Sequence, residues 1–324
     1  MKLLLLIVLG SVAVAGLFFA ASGQAQDYPA KPVRIIAGSV GATNDILARH
    51  LAQQLSERWG KQVIVDNRPG AGGTIGAAHA AKAAPDGYTL HIAFSATFAA
   101  AVSLYRALPY DPVKDFAPIT LYAESPMLLV AHPSMPPGSL SEFLAFAKKR
   151  PGAINSASAG GATISHLTTE LMNHVAGLKL ELVHYKGSGA AMLALVSGEA
   201  QVAAIVMPNA LPQVKAGKAK AYAITSKKRF AGAPDIPTAA EAGLPGLEAT
   251  AWFGFCAPAR TPPELISRLN REIVEVLRAP AVRDWLLAQG AEPIPSTPEE
   301  FGSYLKSEIV KWKNVIAASG ARID

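Results

Sequence analysis

One cysteine, Cys256, occurs in 324 residues, so no intramolecular disulfide can form. Its neighbours Phe253-Gly254-Phe255 and Ala257 predict a buried, inert thiol rather than a nucleophile. The seven histidines show no metal-ligand spacing, and neither C-x-x-C nor H-E-x-x-H is present, so no metal and no cofactor is expected. A G-x-S-x-G elbow and a P-loop are also missing. Charged residues make up only 17%, without a long run of one sign and without a basic stripe carrying interleaved aromatics. That composition argues against nucleic acid as a partner and against disorder beyond the N-terminus. After Ala21 no apolar stretch is long enough to span a bilayer.

The N-terminus reads as a secretory leader over residues 1–25. Lys2 is the positive end, Leu3 to Ala21 is apolar, and Gly23-Gln24-Ala25 supplies small residues for cleavage after Ala25. An uncleaved anchor is the alternative. No cysteine near the cut could carry a lipid. The net charge of +6 becomes +5 once Lys2 leaves, which is scattered charge with a weak attraction for anions.

Strands and helices alternate in what remains, which predicts an α/β chain with a parallel sheet covered on both faces. Val33–Ile36, Val63–Val65 and Tyr88–Ala93 read as strands, with helices over Asp45–Trp59 and about Thr74–Ala84 between them. Ile119–Tyr122 and Met127–Ala131 read as two strands leaving this first unit. A second unit follows, with strands at Ile154–Ala157, Leu180–His184, Val202–Val206 and Ala219–Thr225 and helices at Thr163–Ala176 and Ala190–Ser197. Ala251–Ala257 is a further strand. Ser139 with Glu142, Thr261-Pro262 with Glu264, and Thr297-Pro298 with Glu300 are helix-start signatures. The late helices follow no new set of strands, so they are expected to return to the first unit. The plan is therefore two lobes joined by two crossings, with a cleft between them: residues 26–125 and 250–324 in one, 126–249 in the other. Hinges are expected near Glu124–Met127 and Ala249–Ala251.

Two strand-to-helix turns carry the functional signal. Gly38-Ser39-Val40-Gly41-Ala42-Thr43-Asn44-Asp45 joins a β-branched strand to a helix through small side chains, and Ser156 to Thr163 does the same in the second unit. Amides at such a helix start point outward, where the macrodipole is positive, and bind an anion without a basic side chain. Asp45, in a first helical turn, reads as a capping or dipole partner ahead of an acid or base. Gly70-Ala71-Gly72-Gly73-Thr74-Ile75-Gly76 is similar to a dinucleotide turn, but its third glycine falls one position late, and a tight structural turn is the better reading. A cleft, two anion-binding turns and no catalytic set describe a binding protein better than an enzyme.

Several segments match one family. They include Tyr28-Pro29-Ala30-Lys31-Pro32-Val33-Arg34-Ile35-Ile36, Asn67-Arg68-Pro69-Gly70-Ala71-Gly72-Gly73, Ala84-Pro85-Asp86-Gly87-Tyr88-Thr89-Leu90 and Leu108-Pro109-Tyr110-Asp111-Pro112. Further along come Tyr185-Lys186-Gly187-Ser188-Gly189, Pro234-Asp235-Ile236-Pro237-Thr238 and Gln289-Gly290-Ala291-Glu292-Pro293. In order and over the whole mature chain, they resemble the tripartite tricarboxylate transporter substrate-binding proteins, the Bug family. The resemblance implies a type II periplasmic-binding-protein fold, two α/β lobes with a ligand cleft between them. It also implies a monomeric periplasmic receptor for a small carboxylate, delivering to integral membrane subunits. In that family two pincer loops hold the ligand carboxylate through backbone amides, hydroxyls and waters; here they match Gly38–Asp45 and Ser156–His166.

The candidate ligand set is Gly38, Ser39, Val40, Gly41, Ala42, Thr43 and Asp45 in the first loop, and Ser158, Gly160, Gly161, Ala162, Thr163 and His166 in the second. Ser95, Thr97 and Asn209 complete it. The first loop lacks the proline and phenylalanine frequent in the family, which implies a roomier floor. Met207-Pro208-Asn209 lacks the aspartate that often precedes the asparagine, which removes the cue for an amino group on the ligand. Neither pincer loop contains Arg or Lys, so backbone amides near Gly41–Thr43 and Gly161–Thr163 are expected to carry the charge, with Lys186 exposed or structural. The competing readings are an exported enzyme using Asp45, Ser158 or His166, and a ligand sensor for a membrane signalling partner.

Overall fold

The computed structural model describes residues 28–38, 40–161 and 163–319. The expected leader and its cleavage site lie outside these residues, as do Ser39 and Ala162. The chain runs β1 (Val33–Ala37), α1 (Thr43–Trp59), β2 (Val63–Asn67), α2 (Thr74–Ala81) and β3 (Thr89–Phe94). A π-helical turn, Ala96–Ala100, then leads into the short α3 (Ala101–Leu104), followed by β4 (Phe116–Ala131), α4 (Leu140–Lys148), β5 (Asn155–Ser158) and α5 (Ile164–Ala176). Next come β6 (Glu181–His184), α6 (Ser188–Val196), β7 (Val202–Val206), α7 (Met207–Lys215) and β8 (Lys220–Ile224). The last stretch holds β9 (Thr250–Pro258), α8 (Pro263–Arg278), α9 (Pro280–Ala288), β10 (Glu292–Pro293) and α10 (Pro298–Ser319).

The local code is visible at the element ends. Leu47, Leu51 and Leu55 put one face of α1 wholly in the core, and Gly60 ends the helix with φ 61°. Ser139 caps α4 by accepting from the Glu142 N–H, and the Thr297 and Glu300 side chains take each other's backbone N–H at the start of α10. The third expected box is absent. Pro262 is the N-cap of α8, and the Thr261 hydroxyl turns back to the Pro258 carbonyl, because Pro262 and Pro263 shift the helix start by one residue.

The strands lie in the order β2-β1-β3-β9-β4-β7-β5-β6, with β8 and β10 also pairing with β4. β2-β1-β3 at one end and β7-β5-β6 at the other are parallel. The middle is antiparallel, because β9 arrives late in the chain and inserts between β3 and β4. The two strands expected around residues 119–131 are one. β4 pairs with β9 from Phe116 to Pro126 and with β7 from Met127 to Ala131, so a single strand passes from one half of the sheet to the other. Pro118 and Pro126, which lack an N–H, make it read as broken; register shifts between Pro118 and Thr120 and between Leu121 and Ala123 accommodate it.

α8 covers the first half, sharing a core with α1 through Ile266, Leu269 and Ile273. α10 reaches further than expected: Phe301, Leu305 and Trp312 share a core with Phe98 and with Leu167, Leu171 and Met172 of α5. Within that core the Glu308 carboxylate accepts from the indole N–H of both Trp252 and Trp312, each at 3.0 Å, and from Lys311 Nζ at 2.6 Å. Gly254 of β9 permits this close packing, since a Cβ there would lie 2.7 Å from the Phe301 ring and 3.0 Å from the Thr120 carbonyl. Cys256 is buried as expected; its thiol donates to the His91 carbonyl, and burial pushes its pKa up. Among the described residues no helix is long and apolar enough to cross a membrane.

Candidate functional site

A cavity of about 800 Å³ opens between the two ends of the sheet. It is lined by the turns that follow β1, β2, β3, β5, β6 and β7, at the carboxyl ends of those strands, where α/β sheets place their ligands. Four helices open into it without a side-chain cap. α1 starts behind Ala42, α2 behind Gly73, α6 behind Gly187 and α7 behind Val206. A helix cannot satisfy its own first-turn amides, so these starts leave N–H groups and a positive dipole end beside the cavity, fewer at α7, where Pro208 has no N–H, and at α2, where the Thr74 amide bonds the Ala71 carbonyl. Ser95 and Thr97, both buried, bring the start of the π-helical turn to the same wall. Lys186 is the only cation on the lining of the described residues, and no aspartate or glutamate lines it.

The candidate residues divide sharply. Val40, Gly41, Ala42, Thr43, Ser95, Thr97, Gly161, Thr163 and Asn209 line the cavity. Gly38, Asp45, Ser158, Gly160 and His166 do not. Gly38 is packed behind the first loop, where a Cβ would lie 2.6 Å from Asn44 Nδ2. The Asp45 carboxylate faces its own loop. Oδ2 accepts the Gly41 N–H at 2.9 Å, and Oδ1 accepts from Asn67 Nδ2 at 2.8 Å and from Arg49 Nε at 3.0 Å. Asn67 Nδ2 also donates to the Gly38 carbonyl at 2.9 Å, so Asp45 and Asn67 together clamp the turn. Burial raises the Asp45 pKa, but the hydrogen bonds from Asn67 and Gly41 and the Arg49 charge outweigh it and hold the carboxyl below its ordinary range. The Gly41 amide, expected to face an anion, is therefore already taken.

The second loop holds two similar reversals. Ser158 ends β5 with its side chain in the interior, where Oγ donates to the Gly160 carbonyl and accepts the Gly160 N–H. His166 packs edge-on against His184 at 4.9 Å, with Nε2 3.7 Å from Glu170 Oε1. Thr163 has a double role: its hydroxyl donates to the Gly160 carbonyl and accepts the His166 N–H as the cap of α5. The positive φ of this loop sits at Gly160, 127°, and not at Gly161, where an added Cβ would meet open space. A valine at Gly161 is thus a test of obstruction alone, without backbone strain.

What the sequence reading passed over is a third turn of the same kind, Lys186-Gly187-Ser188-Gly189, between β6 and α6. Placing the helix start at Ala190, two residues late, concealed that Gly187, with φ 99°, is a helix N-cap on the cleft. Lys186 is solvent-exposed and also lines the cavity, so the two properties do not exclude each other. Tyr105 is the other addition. Its hydroxyl donates to the Ala71 carbonyl at 2.9 Å, and burial pushes its pKa up, keeping the phenol protonated as a donor.

Two α/β ends of one sheet around a cleft of helix starts define a periplasmic-type solute-binding protein. The chain belongs to the tripartite tricarboxylate transporter receptor family, whose model matches residues 47–321. It is 37% identical to the protein BugT of Bordetella pertussis over 319 residues, which cover 96% of this chain and 98% of that one. Among solved structures, R. palustris Rpa4515 with adipate is 33% identical with a TM-score of 0.81, covering 91% of this chain and 99% of that one. MatC from Rhodopseudomonas palustris with bound malate is 35% identical with a TM-score of 0.77, covering 89% and 100%.

Proposed function

We propose that this chain is an extracytoplasmic receptor that captures a small mono- or dicarboxylate in the cleft and, like its family, serves integral membrane subunits of a transporter. The observation that carries the reading is electrostatic. Four uncapped helix starts and one lysine face a cavity whose described lining has no acidic side chain. Hydrogen bonds to a charged group contribute about 1.5–3 kcal/mol each. Two or three of them offset much of the several kcal/mol needed to desolvate one carboxylate. First-turn amides of Thr43 and Asn44, the Thr43 hydroxyl, Ser95 and Asn209 are the proposed donors from one side and the other, with Gly161, Thr163 and the turn at Lys186–Ser188 completing the ring. The absence of a lining carboxylate selects against ligands with an amino group.

The lobes proposed are 26–125 with 250–324, and 126–249. β4 changes partner between Pro126 and Met127, and β9 begins at Thr250, which supports a hinge at these two crossings. The cleft is proposed to bind without catalysis: the Ser158 hydroxyl is engaged with Gly160 and the Asp45 carboxylate with its own loop, away from any ligand. A thermal-shift screen with mono- and dicarboxylates tests the capture. A ligand at 100 times its Kd adds about 2.7 kcal/mol of stability. The acid that raises Tm most should also shrink the radius of gyration of a monomer in solution scattering and be recovered chemically unchanged. No stabilisation by any carboxylate, or turnover of the acid, would overturn the reading.

A further inference from the structure

Tyr105 lines the ligand cleft and also a second cavity of about 670 Å³, and no other lining residue is common to both. The two cavities therefore adjoin at Tyr105. The turn beneath it is held in an uncommon conformation. Gly70, Ala71, Gly72 and Gly73 take φ values of 118°, 43°, 65° and 100°, four successive residues in a region that favours glycine, and Ala71 has a side chain. The Ala71 carbonyl accepts from the Tyr105 hydroxyl at 2.9 Å and from Thr74 Oγ1 at 3.0 Å, which ties the turn to the phenol. A Cβ on Gly72 would lie 3.5 Å from the same hydroxyl, so the turn and the phenol are in direct contact.

The cavity behind the ring is not featureless. Arg106 lines it beside Tyr110 and Leu108. Its two acids are engaged: Asp111 with Lys114 Nζ at 3.3 Å and with the amides of Val113 and Lys114, and Asp115 with the Asp111 amide at 2.7 Å. A ligand that passed the ring would bring its far end toward a cation.

We propose that Tyr105, braced on the Ala71 carbonyl, is the end wall that sets the length of the acid the cleft accepts. The inference rests on the carboxylate reading above. Shortening the wall joins the two cavities and lets a longer straight-chain dicarboxylate place its distal carboxylate near Arg106; lengthening it shortens the acceptable chain. One methylene in a fitted pocket changes affinity by about tenfold or more.

The test is calorimetric titration of the purified protein with succinate, glutarate, adipate, pimelate and suberate. Tyr105→Ala should move the best ligand toward the longer acids, changing the suberate-to-succinate affinity ratio by about tenfold or more. Tyr105→Trp should move it the other way. Val102→Ala, which alters only the outer cavity, should keep the wild-type order. If the wild type binds members of the series and both Tyr105 variants, whichever of them folds, retain its order, the wall is elsewhere and the inference fails while the carboxylate reading stands. If the wild type binds none of the five acids, the carboxylate reading fails in this ligand class and the inference falls with it.

Discussion

Replacing Asp45 by alanine should weaken carboxylate binding by roughly 10- to 100-fold, although the side chain never lines the cleft. The carboxylate is 2% exposed and holds the Gly41 amide, the Asn67 side chain and Arg49. Without it the turn before α1 loses its clamp, and the first-turn donors of Thr43 and Asn44 lose their fixed direction. Leaving such partners unsatisfied costs about 1–3 kcal/mol of stability, at the lower end here because half-exposed Arg49 can turn to water. Calorimetry and chemical denaturation read the two effects. The pH dependence gives a second handle. The folded carboxyl titrates below its unfolded value of about 3.9, so its contribution is complete above that pH and is lost as pH falls through the folded value. Stability supplied by Asp45 should therefore be flat from neutrality to about pH 4 and decline below it, and Asp45→Asn should remove that part of the acid limb. Wild-type affinity and an unchanged acid limb in the variants would show that the clamp is unimportant.

Glu308→Ala should be the more damaging change to stability and should act without touching the ligand. Two buried indole N–H groups lose the acceptor they share, Lys311 loses its carboxylate, and a void opens between α10 and β9. Breaking such a buried charged network costs about 3–5 kcal/mol. For a chain of this size that lowers Tm by roughly 6–15 °C. Glu308→Gln keeps the shape and one good acceptor and should recover more than half of the loss. A scanning calorimetry trace for Glu308→Ala within 2 °C, in about the range expected of a surface change, would show that the cluster contributes little.

Much of the fold was legible because it is written in periodicity and punctuation. Val202–Val206 was read with its true ends, and Ser139 and Thr297 marked helix starts; of the apolar positions Ile46, Leu47, Leu51, Leu55 and Trp59 that give α1 its helical spacing, the three leucines are the fully buried ones. β4 was split because proline normally ends a strand, and only its long-range pairing with β9 shows that the chain continues through Pro118 and Pro126. The site was legible as loops and less so as directions. Ser158 belongs to a loop by composition but closes a strand by geometry, and strand parity turns it inward. Asp45 reads as a capping or dipole partner from its place in the first turn; in the structure its carboxylate takes the Gly41 amide ahead of the helix, which is then unavailable to a ligand. The turn at Lys186–Ser188 was hidden by a helix start placed too late, although it repeats the strand-turn-helix pattern that identified the other two. Tyr105 carries no local signal at all, since its partner Ala71 is 34 residues away.

In the proposed function, charge on a carboxylate, met by helix starts and Lys186, drives capture. The most direct measurement is a calorimetric titration of the acid selected by the screen beside its neutral primary amide, with Lys186→Met as a second protein. The amide matches the carboxylate in size but cannot accept charge-assisted bonds at both atoms. The acid should bind at least about 100-fold more tightly than the amide, a difference of two such bonds. Lys186→Met should keep most of that preference, because several helix starts share the charge. Equal binding of acid and amide, or loss of the whole preference with Lys186 alone, would contradict it.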